Sequence, residues 1–118
     1  MPELDVKVLS FLKLAGMGAD KNKTDKGGNT PLIKASIANN VEIVRLLIDA
    51  GADKDSVTRD HGGFSALHFA AAYNHVEVAR LLVEAGADRS VRSSQTDRFT
   101  ALDLGVTNGH TEIVELLS

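Results

Sequence analysis

The 118-residue chain contains no cysteine, which excludes disulfide cross-links and every metal site built on thiolates. Aromatic residues are scarce: Phe11, Phe64, Phe69, Tyr73 and Phe99 are the full set. No stretch reaches the roughly 20 apolar residues that a membrane helix needs. Asp5, Lys7 and Lys13 interrupt the apolar run that a secretion signal would require at the N-terminus. These absences lead to the expectation of an intracellular protein, cytoplasmic or nuclear, with no membrane insertion. A large excess of one charge is also missing. The formal charge is −3, which argues against nucleic acid as the main partner. The balance is uneven along the chain: residues 1–59 carry nine Lys/Arg against eight Asp/Glu, whereas 60–118 carry four against eight.

What the chain does have is a period. Val41-Glu42-Ile43-Val44-Arg45-Leu46-Leu47 recurs 35 residues on as Val76-Glu77-Val78-Ala79-Arg80-Leu81-Leu82, and again as Thr111-Glu112-Ile113-Val114-Glu115-Leu116-Leu117. Val6 to Leu12 keeps the same apolar rhythm with weaker identity. Gly16, Gly51 and Gly86 hold this register, as do Thr30, Ser65 and Thr100. A period of this length marks a solenoid, in which stacked units share one continuous core. Within a unit, Thr30 is placed to cap a helix and Pro31 to occupy its first position. That helix should run to about Ala38 and be broken by Asn39-Asn40, as its counterparts are by Asn74-His75 and Gly109-His110. A second helix should run from about Val41 to Ala50 with Val41, Val44, Leu47 and Ile48 on its buried face, and Gly51 should stop it. Residues 52–64 and 87–99 are polar and turn-rich, and extended hairpins are expected there.

Thr30-Pro31-Leu32, Ser65-Ala66-Leu67-His68, Gly109-His110 and the Gly-Ala-Asp triplets at 18–20, 51–53 and 86–88 resemble the ankyrin repeat. The resemblance implies an all-α solenoid of stacked antiparallel helix pairs joined by protruding β-hairpin loops. It divides a single array over 1–118 into a half-repeat with its hairpin (1–29), two repeats (30–64 and 65–99) and a repeat ending in its second helix (100–118). Several features depart from the family pattern. The usual unit has about 33 residues, and here the hairpins after Gly51 and Gly86 are longer. Only His68 keeps the family's histidine, whose ring is expected to bond the cap hydroxyl; Ile33 and Asp103 stand at the equivalent positions. The hairpin glycine present as Gly28 and Gly63 becomes Arg98, and Asp25 and Asp60 become Gln95, so the hairpin at 87–99 is expected to depart most in backbone. Residues 3–15 supply a second helix with no first helix before it, and Ser118 falls inside another, a pattern expected of a piece cut from a longer array.

Other motifs carry little chemistry. His61, His68 and His75 are spaced by seven, but they fall at three different places in the unit, with no acid or thiol placed to complete a metal site. His61-Gly62-Gly63-Phe64 resembles the oxyanion loop of some esterases, yet no Gly-x-Ser-x-Gly elbow accompanies it. Gly16-Met17-Gly18 begins a dinucleotide fingerprint and then puts Lys21 where the third glycine belongs. No cofactor and no catalysis are expected. Asn22 lies where some family members are hydroxylated, but Asp55 and Ser90 at the comparable place favour a turn role. The rings are more informative. Phe64 and Phe99 precede the N-caps at equivalent positions, and Tyr73 ends a first helix; in the family these positions face a concave groove of hairpins and first helices. Lys26, Asn29, Lys34, Ile37, His61, Arg98, Thr107 and Asn108 would complete that surface with the mixed polarity of an interface. The competing account packs Phe64 and Phe99 against neighbouring hairpins. The expected function is a non-catalytic, monomeric scaffold that binds another protein. The alternatives are a regulatory or targeting domain of a larger enzyme or channel, or an oligonucleotide-sensing domain.

Overall fold

The computed structural model describes residues 22–60, 62–94 and 98–118. The helix expected over 3–15, together with His61 and Gln95, lies outside them. Six helices follow in order: α1 (Pro31–Ile37), α2 (Val41–Asp49), α3 (Ala66–Ala72), α4 (Val76–Glu84), α5 (Ala101–Thr107) and α6 (Thr111–Leu117). The first helices α1, α3 and α5 stack in one row, and α2, α4 and α6 stack behind them in a second. The protein is thus built by repeating one two-helix unit along a single direction.

Local chemistry explains each boundary. The Thr30 hydroxyl accepts from the Ile33 backbone N–H at 3.1 Å, and the hydroxyls of Ser65 and Thr100 do the same for His68 and Asp103. Each satisfies a donor that the first helical turn would leave unpaired. The turn between helices needs one left-handed residue, which Asn39 (φ 55°), Asn74 (φ 61°) and Gly109 (φ 71°) supply in turn. The buried face of the second helices is rotated from the expected one. Ile43, Val44 and Leu47 are buried, while Val41 and Ile48 are only half-buried. The same offset recurs at Val78, Ala79 and Leu82. The cause is the double contact: a second helix packs on its own first helix and on the neighbouring second helix, so its apolar stripe must bisect the two directions.

The loops form hairpins without regular strands among the described residues. One is closed by the Thr58 N–H to Phe64 carbonyl bond at 3.0 Å and a single antiparallel bridge between Val57 and Ser65. The next is closed by the equivalent Ser93 to Phe99 bond at 2.8 Å. Adjacent hairpins also touch: the Arg59 N–H donates to the Gly27 carbonyl at 2.8 Å, and Ser94 N–H to Gly62 at 2.7 Å. This close approach sets the glycine requirement. A Cβ on Gly28 would sit 2.6 Å from the Arg59 backbone nitrogen, and one on Gly63 would sit 2.7 Å from Ser94 Oγ, with φ positive at both. The expectation that 87–99 departs most in backbone is corrected over its described residues. Arg98 adopts φ 51°, keeping the left-handed geometry of Gly28 and Gly63, and the closing bond is unchanged. Arg98 is exposed, so its side chain has room there.

Candidate functional site

The side of the array made by hairpins and first helices carries a continuous path of rings. Phe64, at the foot of its hairpin, stacks on His68 with ring centroids 5.3 Å apart and meets Phe69 edge-on at 5.5 Å. Phe69 in turn stacks on Tyr73 at 6.1 Å, and Tyr73 touches the His75 ring at 5.8 Å. The middle ring is core, Phe69 being 6% exposed, whereas Tyr73 at the end of α3 is 53% exposed. Phe64 is half-buried and packs on the core. Rings arranged this way hold one another in place, so the exposed Tyr73 ring is presented rigidly.

The other candidate residues distribute as follows. Ile37, 37% exposed at the end of α1, and Thr107 and Asn108, exposed at the end of α5, lie at the same end of their helices as Tyr73 does in α3. Asn108 donates its side-chain amide to the Leu104 carbonyl at 2.8 Å. Phe99 is half-buried against the core in the following hairpin, and its ring makes no stacking contact among the described residues. Its carbonyl is engaged instead, accepting from the Ser93 N–H. Lys26 and Arg98 are exposed in the hairpins. His61 lies outside the described residues.

Asn29 and Lys34 gather on Asp25. One Asp25 oxygen accepts from the backbone N–H groups of Gly27 and Asn29 at 3.0 and 2.9 Å, and the Asn29 amide reaches it at 3.2 Å. The Lys34 ammonium lies 3.3 Å from the other oxygen. Burial opposes ionisation of this carboxyl, but the Asn29 hydrogen bonds and the Lys34 charge outweigh it and hold the pKa at about 2. This cluster fixes the first described hairpin to α1.

The histidines described by the structure serve as stitches between units. His68 Nδ1 accepts from the Ser65 backbone N–H at 3.2 Å and lies 2.8 Å from the Ser65 hydroxyl, so its Nε2–H donates to the Phe99 carbonyl at 2.9 Å. The ring is fully buried, and burial pushes its pKa down against the pull of the Phe99 and Val91 carbonyls. His75 Nδ1 bonds the Ser36 carbonyl and His110 Nδ1 the Ala71 carbonyl, both at 2.9 Å and both across 39 residues. Among the described residues, no three His, Asp or Glu side chains converge as a metal site would require. Asn22 is likewise structural in its contacts, its side-chain oxygen accepting from the Asp53 N–H at 2.9 Å, as Asp55 accepts from Asp88.

Two basic side chains on this side escape a reading by period. Arg59 donates through Nη2 to the carbonyls of Asp25 and Lys26, and Arg92 donates to the carbonyl of Arg98; both are exposed. Thr24 and Ser94 stand 35 residues either side of Arg59, so repetition gives no hint of it. Only the hairpin-to-hairpin contact reveals that Arg59 joins the row.

Helix pairs stacked in two rows, their first helices capped by hydroxyl residues and joined by hairpins, define a repeat solenoid. A family model for ankyrin repeats, in three copies, matches residues 5–93, and the chain belongs to the ankyrin-repeat family. No curated protein matches the chain. Ankyrin repeats are in general protein–protein interaction modules. No helix among the described residues is long and apolar enough to cross a membrane.

Proposed function

We propose that this chain is a non-catalytic interaction module that binds a partner protein on the side formed by its hairpins and first helices. The observation supporting this reading is the ring path from Phe64 through Phe69 to Tyr73. It ends in a tyrosine more than half exposed, with Ile37 and Thr107 at the same level on the flanking helices. Exposed aromatic anchors held on a rigid scaffold bind without a large ordering loss and carry much of the energy in protein interfaces. The opposite side presents the charged faces of α2, α4 and α6, where Glu42, Glu77, Glu84, Glu112 and Glu115 are exposed.

The test is affinity capture from a native lysate with three chains: the natural sequence, Tyr73→Ala, and Glu77→Ala with Glu84→Ala. Tyr73→Ala should reduce the captured partner by at least about 10-fold, as expected for a hot-spot anchor, and leave the melting temperature unchanged. The glutamate pair should capture as the natural chain does. Partner loss in the glutamate pair alone would move the site to the second helices and reject this reading.

A further inference from the structure

The two sides of the array differ in charge balance, the second helices carrying an acidic excess and the hairpins a modest basic one. On the second helices, Glu42, Asp49, Glu77, Glu84, Glu112 and Glu115 are exposed, against only Arg45 and Arg80. On the hairpin side, Lys26, Arg59, Arg92 and Arg98 are exposed. The carboxylates described in these loops are exposed Asp53, Asp55, Asp60 and Asp88 and half-buried Asp25. Asp25 is bound by Asn29 and Lys34, and Asp53, Asp55 and Asp88 each accept a backbone N–H. Half-buried Asp103 at the start of α5 is close enough to Arg92 to feel its charge. Asp97 and His61 belong to the same loops and lie outside the described residues. The basic groups form one row because the hairpins touch: Arg59 reaches back to the backbone of Asp25 and Lys26, and the next hairpin joins through the Ser94 to Gly62 bond. Arg92 and Arg98 are drawn together by the bond from the Arg92 guanidinium to the Arg98 carbonyl. Although its net charge is −3, the chain thus places four exposed basic groups on the side that also carries the exposed Tyr73.

From this we infer that the partner segment is an acidic peptide with an apolar anchor, its carboxylates lying along Lys26, Arg59, Arg92 and Arg98 and its anchor against Tyr73. This deepens the interaction reading above and rests on it. Guanidinium groups suit carboxylates because their planar donors match two oxygens at once. The acidic second-helix side repels the same peptide, so charge selects the side as well as the partner. A polyphosphate backbone would satisfy the basic row but not use the tyrosine as an apolar seat. The six carboxylates behind the array also act against a long polyanion more than against a short peptide.

The experiment measures fluorescence anisotropy of three labelled probes on the full chain. One is a 12-residue peptide of Glu and Ser with a central Leu-Leu pair, the second is the same peptide with Gln for every Glu, and the third is a 12-nucleotide oligo-uridine. The acidic peptide should bind at least five-fold tighter than the other two, and raising salt from 50 to 500 mM should erase the difference. Arg59→Gln with Arg92→Gln should remove the preference, Arg59→Lys with Arg92→Lys should largely keep it, and both should melt as the natural chain does. Equal binding of the Gln peptide, tighter binding of oligo-uridine, or no acidic-peptide binding at millimolar concentration would each overturn the inference. If the arginine variants bind like the natural chain while Tyr73→Ala still loses the lysate partner, the acidic-peptide reading fails and the interaction module stands.

Discussion

The middle and last helix pairs carry the same pattern in different surroundings. Ala71 in α3 and Ala79 in α4 are wholly buried between neighbours on both sides. Their equivalents 35 residues on, Val106 and Val114, are 60% exposed and half-buried. The caps differ in step. The middle unit uses the buried His68 ring, bonded within its unit and to the Phe99 carbonyl of the hairpin beyond, whereas the last uses the half-exposed Asp103, whose carboxylate closes the box on Thr100 N–H at 3.0 Å. The difference teaches that burial in this fold belongs to the interface between units rather than to the unit. One sequence motif gives a core position or a surface position according to what stacks on it.

The largest expected test of that comparison is Leu82→Ala against Leu117→Ala. Leu82 is fully enclosed, so its truncation should destabilise by about 2–5 kcal/mol in urea unfolding, as large-to-small core changes do. Leu117 ends α6 with α4 on one side only, and its loss should be smaller because the surroundings can collapse. Equal losses would break the comparison.

The caps come next. His68→Ala removes the reciprocal bond to Ser65 and the stitch to Phe99 and should cost about 2–3 kcal/mol, while Asp103→Ala loses only a cap and should cost about 1 kcal/mol. The pH profile separates them further. The folded pKa of His68 is lowered from 6.5, so the unfolded chain binds the proton more readily. The stability from neutral His68 is full above pH 6.5 and lost as pH falls through that value toward the folded pKa. Asp25, lowered from 3.8 to about 2, acts in a separate window: its contribution is present above 3.8 and lost as pH falls toward 2. Denaturant midpoints between pH 8 and 5 should therefore drop in the natural chain and flatten in His68→Ala.

The hairpins give the smallest expected effect, at Arg98. Gly63→Ala meets a left-handed backbone and the Ser94 side chain and should cost about 1–2 kcal/mol. Arg98→Gly, at the equivalent place, should change stability by less than about 0.5 kcal/mol, since relief of the left-handed residue offsets added freedom in the unfolded chain. Thermal melts of the two variants would show a clear drop for the first and almost none for the second.

The period made most of this architecture legible beforehand. Thr30, Ser65 and Thr100 announced three helix starts because a cap is a local event, and Asn39, Asn74 and Gly109 announced the turns for the same reason. The buried face of α2 was misjudged by one step, since the stripe is set by two neighbours at once and periodicity within a single helix sees neither. Tyr73, Phe64 and Ile37 were nameable from their places in the unit. Arg59 and Arg92 were not, because neither has a counterpart at the repeat spacing; Arg59 acts by reaching across to the preceding hairpin, and Arg92 by bonding the Arg98 carbonyl within its own. Asn29 shows the reverse: its position marked it as surface, yet Asp25 holds its amide.

The hairpin glycines set rules for lengthening this molecule. Gly28 and Gly63 leave space for the next hairpin, so a duplicate of residues 30–64 inserted after Phe64 would set Gly63 against Arg59 of the copy, the kind of contact that Gly28 already makes with Arg59. A duplicate of 65–99 inserted after Phe99 would find no such fit, because Arg98 would place a Cβ where Ser94 of the copy must lie; the insertion would need Arg98→Gly as well. Copy number is thus an adjustable variable at one junction and a blocked one at the other, and a single φ-positive residue decides which.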